Sequence, residues 1–153
     1  MKNITIRTAK IDDLQPIVKL IADDNVVGAR EEYKDPLDKV YIDSFKIIDK
    51  DPNNELIVAE SNKIILGALQ ITYIPYIINK GQSRALIEAV MVSKEYTGMG
   101  IGTKLMNRAI ERAKERNCCL AQLTTNKKRL DARRFYERLG FKSTHEGMKL
   151  EII

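Results

Sequence analysis

The sequence predicts a single α/β domain in which a mixed β-sheet is flanked by helices. Apolar residues recur at helical spacing in several segments, and apolar runs rich in β-branched residues lie between them. One of those runs leads through glycines into a long amphipathic helix. The chain has 153 residues, enough for one hydrophobic core, and shows neither a repeat nor a linker. We therefore expect one domain over residues 1–153, with the element order β-α-α-β-β-β-α-β-α-β-β.

The first third of the chain is predicted to form one strand and two helices. Residues 3–8 form the strand, and Asp12 or Asp13 offers a cap to a helix that runs to about residue 24. The apolar stripe of this helix consists of Leu14, Ile17, Val18 and Ile21. The second helix ends before Asp51-Pro52, and its stripe consists of Leu37, Val40, Tyr41, Phe45 and Ile48.

The middle of the chain is predicted to form three strands. Residues 56–59 and 64–73 are apolar runs joined by a short polar turn, which is typical of an antiparallel hairpin. A loop with Pro75 and Gly81 follows, and residues 84–92 form the third long strand.

The last third is predicted to alternate helices and strands. Residues 99–117 form an amphipathic helix and residues 119–125 a strand. Asp131 caps a short helix that stops at Gly140, because glycine favours helix C-termini. Residues 141–152 complete one or two strands around the turn at Glu146-Gly147.

The composition narrows the range of ligands and locations. The net charge of +5 and the pI near 9.2 suit an anionic ligand such as a nucleotide cofactor, and they also permit nucleic acid. The sequence contains no Trp and only three Phe, which argues against a surface on which nucleic-acid bases stack. No stretch approaches the roughly 18 apolar residues of a membrane span. The two cysteines, Cys118 and Cys119, are neighbours in a predicted strand and cannot easily pair, so we expect a cytoplasmic protein.

Glycines punctuate the turn between the third long strand and the long helix. Gly98, Gly100 and Gly102 allow a tight turn and bring backbone N–H groups to a helix N-terminus, where phosphate oxygens bind. A strand-to-helix turn with no ligand explains the glycines alone about as well. The spacing does not fit a dinucleotide-binding Gly-x-Gly-x-x-Gly, and no Gly-Lys-Ser or Gly-Lys-Thr follows.

Two segments together resemble the GNAT family of N-acetyltransferases. Residues 90–105 resemble that family's acetyl-CoA motif, Arg/Gln-x-x-Gly-x-Gly/Ala, and residues 132–141 resemble its second signature, Ala-x-x-Phe-Tyr-x-x-x-Gly-Phe. The two segments follow in the family's order and at its spacing. The resemblance implies a GNAT-like acyl-CoA N-acyltransferase fold and acetyl-CoA as cosubstrate.

The resemblance also implies roles for individual residues. The backbone of the strand before the glycines would bind the pantetheine arm, and the glycine turn would receive the pyrophosphate. Tyr136 matches the tyrosine that protonates the departing thiolate, and Glu88 lies where many members carry a general base. The implied cofactor-binding residues are Val90, Met91, Val92, Thr97, Gly98, Met99, Gly100, Ile101, Gly102, Thr103 and Arg129.

Two positions depart from the family pattern. Thr97 stands at the Arg/Gln position, so one contact to the phosphates is missing, and Arg129 stands where many members have asparagine. Arg129 or a neighbouring cation could compensate with charge. A solvated basic face beside a helix start explains each of these cations at least as well.

Each catalytic candidate has a structural alternative. By period-two alternation Glu88 shares a strand face with Leu86, Val90 and Val92, and an ion pair at the sheet edge would explain it without catalysis. Tyr136 could be a half-buried core residue beside Phe135. A glutamate carboxyl group has an ordinary pKa of about 4.3 and an ammonium group one of about 10.4. This difference of about six units corresponds to about 8 kcal/mol, so proton transfer from the amine to Glu88 needs a water relay or altered pKa values.

The remaining polar residues carry less weight as catalysts. His145 is expected to be a surface or satisfied polar residue, and no cluster has metal-ligand spacing, so we expect no metal. No base is evident beside Cys118 or Cys119, which argues against an acyl-enzyme.

We therefore expect an acetyl-CoA-dependent N-acetyltransferase in which a primary amine attacks the thioester directly in a ternary complex. A non-catalytic CoA-binding sensor and a small nucleic-acid-binding protein remain as alternatives. The acceptor is a small molecule or a peptide, and acidic residues between 23 and 43 suggest that it is cationic. We expect neither a nucleic-acid nor a membrane partner, and the family resemblance suggests a homodimer through the C-terminal strands.

Overall fold

The computed structural model describes residues 3–24 and 32–152. Within these two ranges five strands and four helices follow one another, with short 3₁₀ turns at Ile11–Asp13 and Lys94–Tyr96. The elements are β1 (Thr5–Thr8), α1 (Leu14–Ala22), α2 (Lys39–Lys50), β2 (Asn54–Ser61), β3 (Ile64–Ile74), β4 (Arg84–Val92), α3 (Ile101–Glu115), β5 (Leu120–Leu123) and α4 (Leu130–Arg138).

The strands form one mixed sheet in sequence order, β1-β2-β3-β4-β5. The first three pairings are antiparallel, whereas β4 and β5 are parallel and are connected through α3. The β2–β3 hairpin turns at Asn62 and Lys63, whose φ angles of +51° and +65° give the left-handed backbone that a two-residue hairpin requires. The predicted fold class, a mixed sheet flanked by helices, is confirmed.

Helices cover both faces of the sheet and make two hydrophobic cores. On one face α3 packs Ile101, Leu105 and Met106 onto apolar residues of β2, β3 and β4. On the other face α1 and α2 pack onto β2 and β3. That second core contains Leu14, Ile17, Val18, Phe45, Val58, Ile65 and Ala68. The polar residues of β3 and β4 that face the α1/α2 side are not among the members of this second core.

The helix ends follow local chemistry, with one correction to the predicted caps. Asp38 accepts a hydrogen bond from the Val40 N–H at the start of α2, as an N-cap does. Asp131 was expected to cap α4, but that helix begins at Leu130 and Arg129 is its N-cap. Asp131 lies inside the first turn, where its negative charge stabilises the positive end of the helix dipole.

The predicted C-terminal strands are absent from the described residues 141–152. Met148, Leu150 and Ile152 alternate with charged residues as a strand would, yet they are 97%, 87% and 89% exposed. Alternation predicts which residues share a face, but a strand also needs a neighbouring edge to satisfy its backbone. No such pairing is present for this segment in the described chain.

None of the described helices has the length and apolar character needed to cross a membrane.

Candidate active site

The β4 and β5 strands separate part-way along their length. Their parallel pairing runs from Arg84 opposite Leu120 to Ile87 opposite Leu123 and then stops. The second half of β4, from Glu88 to Val92, remains paired to β3 on its other side. Its backbone N–H and C=O groups on the β5 side are therefore available to a ligand, since β5 ends at Leu123.

A bulge in β4 lies just beyond its last pair with β5 and divides the strand into two halves. Gln70 and Ala68 of β3 are two residues apart, but their partners Glu88 and Met91 are three apart, so β4 holds one extra residue. Ala89 takes the left-handed backbone, with φ of +50°.

The bulge corrects the predicted face of Glu88. Ile87, Val90 and Val92 all pack against the α3-side core. Glu88 lies directly opposite Gln70 on the α1/α2 side and is exposed. The prediction that Glu88 shares a face with Val90 and Val92 was wrong, because the extra residue reverses the alternation.

Gly67 of β3 lets the two strands approach where β4 is distorted. A Cβ at this position would lie 2.6 Å from the backbone carbonyl oxygen of Met91, closer than any side chain tolerates. Gly67 pairs with Val92 across the strands, and so it fixes the position of the half of β4 whose outer edge is open.

The glycine turn after β4 leaves open space at its surface. Gly98 and Gly100 have φ angles of +80° and +76°, and a Cβ at either would meet no atom within 4 Å. Gly100 is the N-cap of α3 and supplies no side-chain cap. The first helical bond runs from the Lys104 N–H to the Gly100 carbonyl, so the preceding N–H groups of the first turn have no intrahelical acceptor. Such a terminus suits phosphate oxygens.

Three elements meet at Gly102 in the first turn of α3. A Cβ there would be 3.3 Å from Phe135 of α4 and 3.7 Å from Val92 of β4. The strand, the glycine turn and α4 are thus brought to one place. Ile101 is 1% exposed, so only its backbone is available to a ligand.

The end of α4 fixes Tyr136 through a Schellman motif. The Phe141 N–H donates to the Tyr136 carbonyl at 3.1 Å, and the Gly140 N–H donates to the Glu137 carbonyl at 3.0 Å. Gly140 has φ of +94°, which the motif requires. The chain reversal places the Phe141 ring 6.2 Å from the Tyr136 ring, while Phe135 contacts Tyr136 from 5.1 Å. The glycine and both aromatic neighbours therefore hold the phenol in place.

Burial and a nearby cation act on the Tyr136 hydroxyl in opposite directions. Burial raises the pKa of the half-buried Tyr136, and the positive charge of Arg129 lowers it by a smaller amount. Arg129 itself is paired with Asp24 at the end of α1. That ion pair joins the end of α1 to the start of α4. Arg129, which had been expected to contact the cofactor, is therefore already bound to Asp24.

Glu88 lies apart from the ion pairs of the described chain. Glu55 binds Arg112, Asp13 binds Arg7, and Asp43 binds Lys39, but no salt bridge within the described residues involves Glu88. The ion-pair explanation of Glu88 therefore finds no partner in that part of the molecule. His145 is exposed and contacts Thr144 at 2.8 Å.

Residues 14–141 match the sequence model of the acetyltransferase (GNAT) family. The chain belongs to the GNAT family. The family match covers the open strand, the glycine turn and α4, and the comparisons support a generic N-acetyltransferase activity.

Individual relatives span almost the whole length of this GNAT protein. An aminoalkylphosphonate N-acetyltransferase of Salmonella typhimurium is 29% identical over 141 residues, which cover 92% of this chain and 86% of that one. A crystal structure of a protein described as a transcriptional regulator, from Bacillus halodurans C-125, has a TM-score of 0.95 and 52% identity and covers 98% of this chain and 100% of that one. A predicted acetyltransferase of Clostridium acetobutylicum, crystallised with acetyl-CoA, has a TM-score of 0.77 and 25% identity over 98% of this chain and 97% of that one.

Two residues of this GNAT site were missed by sequence reasoning. Gly67 lies inside a predicted strand, where an isolated glycine signals a bulge or a close approach of two backbones, so its signal was present. Ala89 gave no signal, since alanine rarely adopts a positive φ. Glu31, one of the acidic residues between 23 and 43 from which a cationic acceptor was inferred, lies outside the described residues.

Proposed function

We propose that the protein transfers an acetyl group from acetyl-CoA to a primary amine by direct attack in a ternary complex. The observation that carries the proposal is the parting of β4 from β5 beside the uncapped N-terminus of α3. It provides a row of backbone groups for an amide-containing arm and a set of N–H donors for phosphates. Acetyl-CoA contains both features and supplies a thioester.

The cofactor contacts are proposed as backbone contacts for the most part. Val90, Met91 and Val92 offer N–H and C=O groups along the open edge, and residues 97–103 offer the N–H groups of the glycine turn. The Thr97 hydroxyl contacts the Ser93 carbonyl oxygen at 3.3 Å, so its side chain serves the turn itself. Arg129 would reach a phosphate only by sharing or leaving Asp24.

Proton transfer is assigned to two side chains. The amine nitrogen forms the new C–N bond, the C–S bond breaks, and a backbone N–H of β4 stabilises the charge on the carbonyl oxygen. Glu88, directly or through a water, takes the proton that the nitrogen loses. Tyr136 gives its proton to the departing thiolate. Exchange with solvent then restores both groups.

The charge of the acceptor is a further part of the proposal. A cationic acceptor was inferred from acidic residues between 23 and 43, and the structure pairs several of them: Asp24 with Arg129, Glu32 with Lys34, and Asp43 with Lys39. These pairs reduce the negative field of the segment between residues 23 and 43. Glu88 remains as a carboxylate at the open strand, and it favours an amine that carries positive charge nearby.

A homodimer and a cytoplasmic location complete the proposal. The exposed alternation of Met148, Leu150 and Ile152 supports a dimer because an amphipathic strand without a partner leaves its apolar face in water. Cys118 and Cys119 are free thiols, which agrees with a reducing compartment.

The test measures CoA release from acetyl-CoA with a thiol reagent across a panel of amines. The panel contains 2-aminoethylphosphonate, glucosamine 6-phosphate, spermidine and a lysine-containing peptide, each at low and high ionic strength. We expect amine-dependent CoA release that Glu88→Gln lowers, with a matched Glu95→Gln variant as the control. A cationic acceptor would lose kcat/KM as salt rises.

Absence of amine-dependent release together with tight acetyl-CoA binding would favour the CoA-binding sensor. The name of the Bacillus halodurans protein makes DNA binding worth measuring in the same preparation. Tight, salt-sensitive DNA binding without transferase activity would favour a nucleic-acid-binding protein.

A further inference from the structure

A chain of side-chain amides leads from the end of α2 to Gln70, the residue opposite Glu88. The Asn54 Nδ2 donates to the Asp51 Oδ2 at 2.6 Å, and the Gln70 Nε2 donates to the Asn54 Oδ1 at 3.1 Å. The Thr72 hydroxyl donates to the same Asn54 oxygen at 2.8 Å. All four residues are partly buried or lie in part-buried contacts at the α1/α2 side of the sheet.

The direction of this chain follows from its first member. An ionised carboxylate only accepts hydrogen bonds, so Asn54 must turn its NH₂ group toward Asp51 and its oxygen toward Gln70. Gln70 must then turn its NH₂ group toward Asn54. Asp51 is kept ionised because the Asn53 N–H, donating to its Oδ1 at 2.8 Å, and the Asn54 amide lower its pKa.

The consequence is that the carbonyl oxygen of Gln70, Oε1, is left as an acceptor. No hydrogen bond among the described residues ends on that oxygen. Gln70 and Glu88 face each other across β3 and β4 and therefore share a face, with backbones about 5 Å apart. Two residues with acceptor groups thus share one face of the sheet at the point where the pairing of β4 with β5 ends.

We propose that Gln70 and Glu88 each accept one N–H of the acceptor nitrogen, and that Asp51, acting through Asn54, fixes Gln70 in that role. This inference rests on the proposed acetyltransferase function. A neutral primary amine has two N–H groups and one lone pair. With both N–H groups held, the lone pair is free to attack, whereas a secondary amine can satisfy only one of the two acceptors. The site therefore selects primary amines.

The first test removes the Gln70 oxygen. Gln70→Leu should raise KM for the most active amine of the panel about tenfold and leave KM for acetyl-CoA unchanged. It should also reduce the preference for that amine over its N-methyl derivative. Gln82→Leu, in an exposed loop, is the matched control.

The second test reverses the direction of the hydrogen bonds from Gln70 through Asn54 by a substitution at their far end, Asp51. In Asp51→Asn the Asn53 N–H still holds the oxygen of the new amide, so its NH₂ group faces Asn54. Asn54 and then Gln70 must turn over, and Gln70 would present donors to the amine. KM for the amine should rise about tenfold or more, whereas Asp49→Asn on the same helix should have no effect.

The rescue is the double variant Asp51→Asn/Asn54→Asp, in which an amide again donates to a carboxylate that accepts from Gln70. It should restore KM for the amine to within about twofold of the wild type. A purely structural role of Asp51 predicts no such rescue, and thermal unfolding and acetyl-CoA binding monitor the fold of each variant.

The outcomes distinguish a failure of this inference from a failure of the proposed acetyltransferase function. If the wild type acetylates an amine but Gln70→Leu keeps full preference for the primary form, or the double variant is no better than Asp51→Asn, the inference is wrong and the function stands. If no amine is acetylated, the proposed function fails and the inference fails with it.

Discussion

Tyr136 combines a restrained position with an acidity set by opposing influences. The Schellman motif at Gly140 and the rings of Phe135 and Phe141 hold it, while burial raises its pKa and Arg129 partly offsets that rise. A free phenol has a pKa of about 10 and a thiol one of about 8.5, so transfer of a proton from the phenol to the thiolate costs about 2 kcal/mol. Burial widens this gap, so the positive charge of Arg129 would favour the proposed proton transfer.

Removal of the Tyr136 hydroxyl tests its role as the acid. Tyr136→Phe should lower kcat about 100-fold, the low end for general acid catalysis, and leave acetyl-CoA affinity nearly unchanged. Steady-state kinetics and calorimetry measure the two effects. The core-tyrosine explanation predicts undiminished kcat, since the phenylalanine ring would keep the contacts with Phe135 and Phe141.

Removal of the charge at Arg129 tests the electrostatic coupling. Because Arg129 lowers the pKa of Tyr136, Arg129→Gln should raise it, and the basic limb of the kcat profile should move to higher pH. At neutral pH kcat should fall modestly, because the phenol becomes a weaker acid. An unmoved basic limb would show that the titrating group is not Tyr136. Arg133→Gln, which removes a cation paired with Glu137, is the control.

At the scale of elements, the role of the glycine turn at Gly100 can be tested by comparison with the turn at Gly81, which requires the same left-handed backbone. Gly100 and Gly81 have φ angles of +76° and +77°, and a Cβ at either would meet open space. Alanine at either position should cost about 1–2 kcal/mol of stability, because both require left-handed backbone. Only Gly100 lies at the proposed phosphate site.

Gly100→Ala should therefore weaken acetyl-CoA binding more than tenfold, since its Cβ and the distorted turn would displace the phosphates. Gly81→Ala should bind as the wild type does. Isothermal calorimetry gives the affinities, and thermal unfolding confirms that both variants lose similar stability. Equal affinities for the two variants would remove the turn from the cofactor site.

The sequence predicted elements better than it predicted their distortions. The bounds of β4, residues 84–92, were correct because its apolar run and flanking loop are unambiguous. The bulge at Ala89 was not predictable, since Leu86 and Val90 to Val92 are apolar on whichever face they lie. The cap of α4 was predicted two residues too late, at Asp131, because a helix start without a side-chain cap at Arg129 leaves no signal.

At the scale of the molecule, the C-terminal segment is complementary to itself. In an antiparallel pair of two copies centred on Leu150, Lys149 of each copy lies opposite Glu151 of the other, and Met148 lies opposite Ile152. Such self-complementarity is what a two-fold interface requires. The exposed apolar residues would then lie on one face of the pair.

The dimer prediction follows from that register. Lys149→Glu should weaken the dimer, because it sets like charges opposite each other, and Lys149→Glu/Glu151→Lys should restore it. Leu150→Lys should abolish it. Light scattering coupled to size-exclusion chromatography measures the mass of each variant. A wild-type monomer, or a dimer indifferent to all three changes, would overturn this assignment.

The bulge in β4 also bears on how such a protein can diversify. On one side of Ala89 the strand carries Glu88 toward the α1/α2 face, and on the other it carries Val90 and Val92 into the α3-side core. If the proposed sites are right, substitutions on the first half would alter which amine is accepted without disturbing the half proposed to lie along the cofactor. One inserted residue would thereby give a single strand two separately variable halves, so that new acceptor preferences could arise on an unchanged proposed acetyl-donor site.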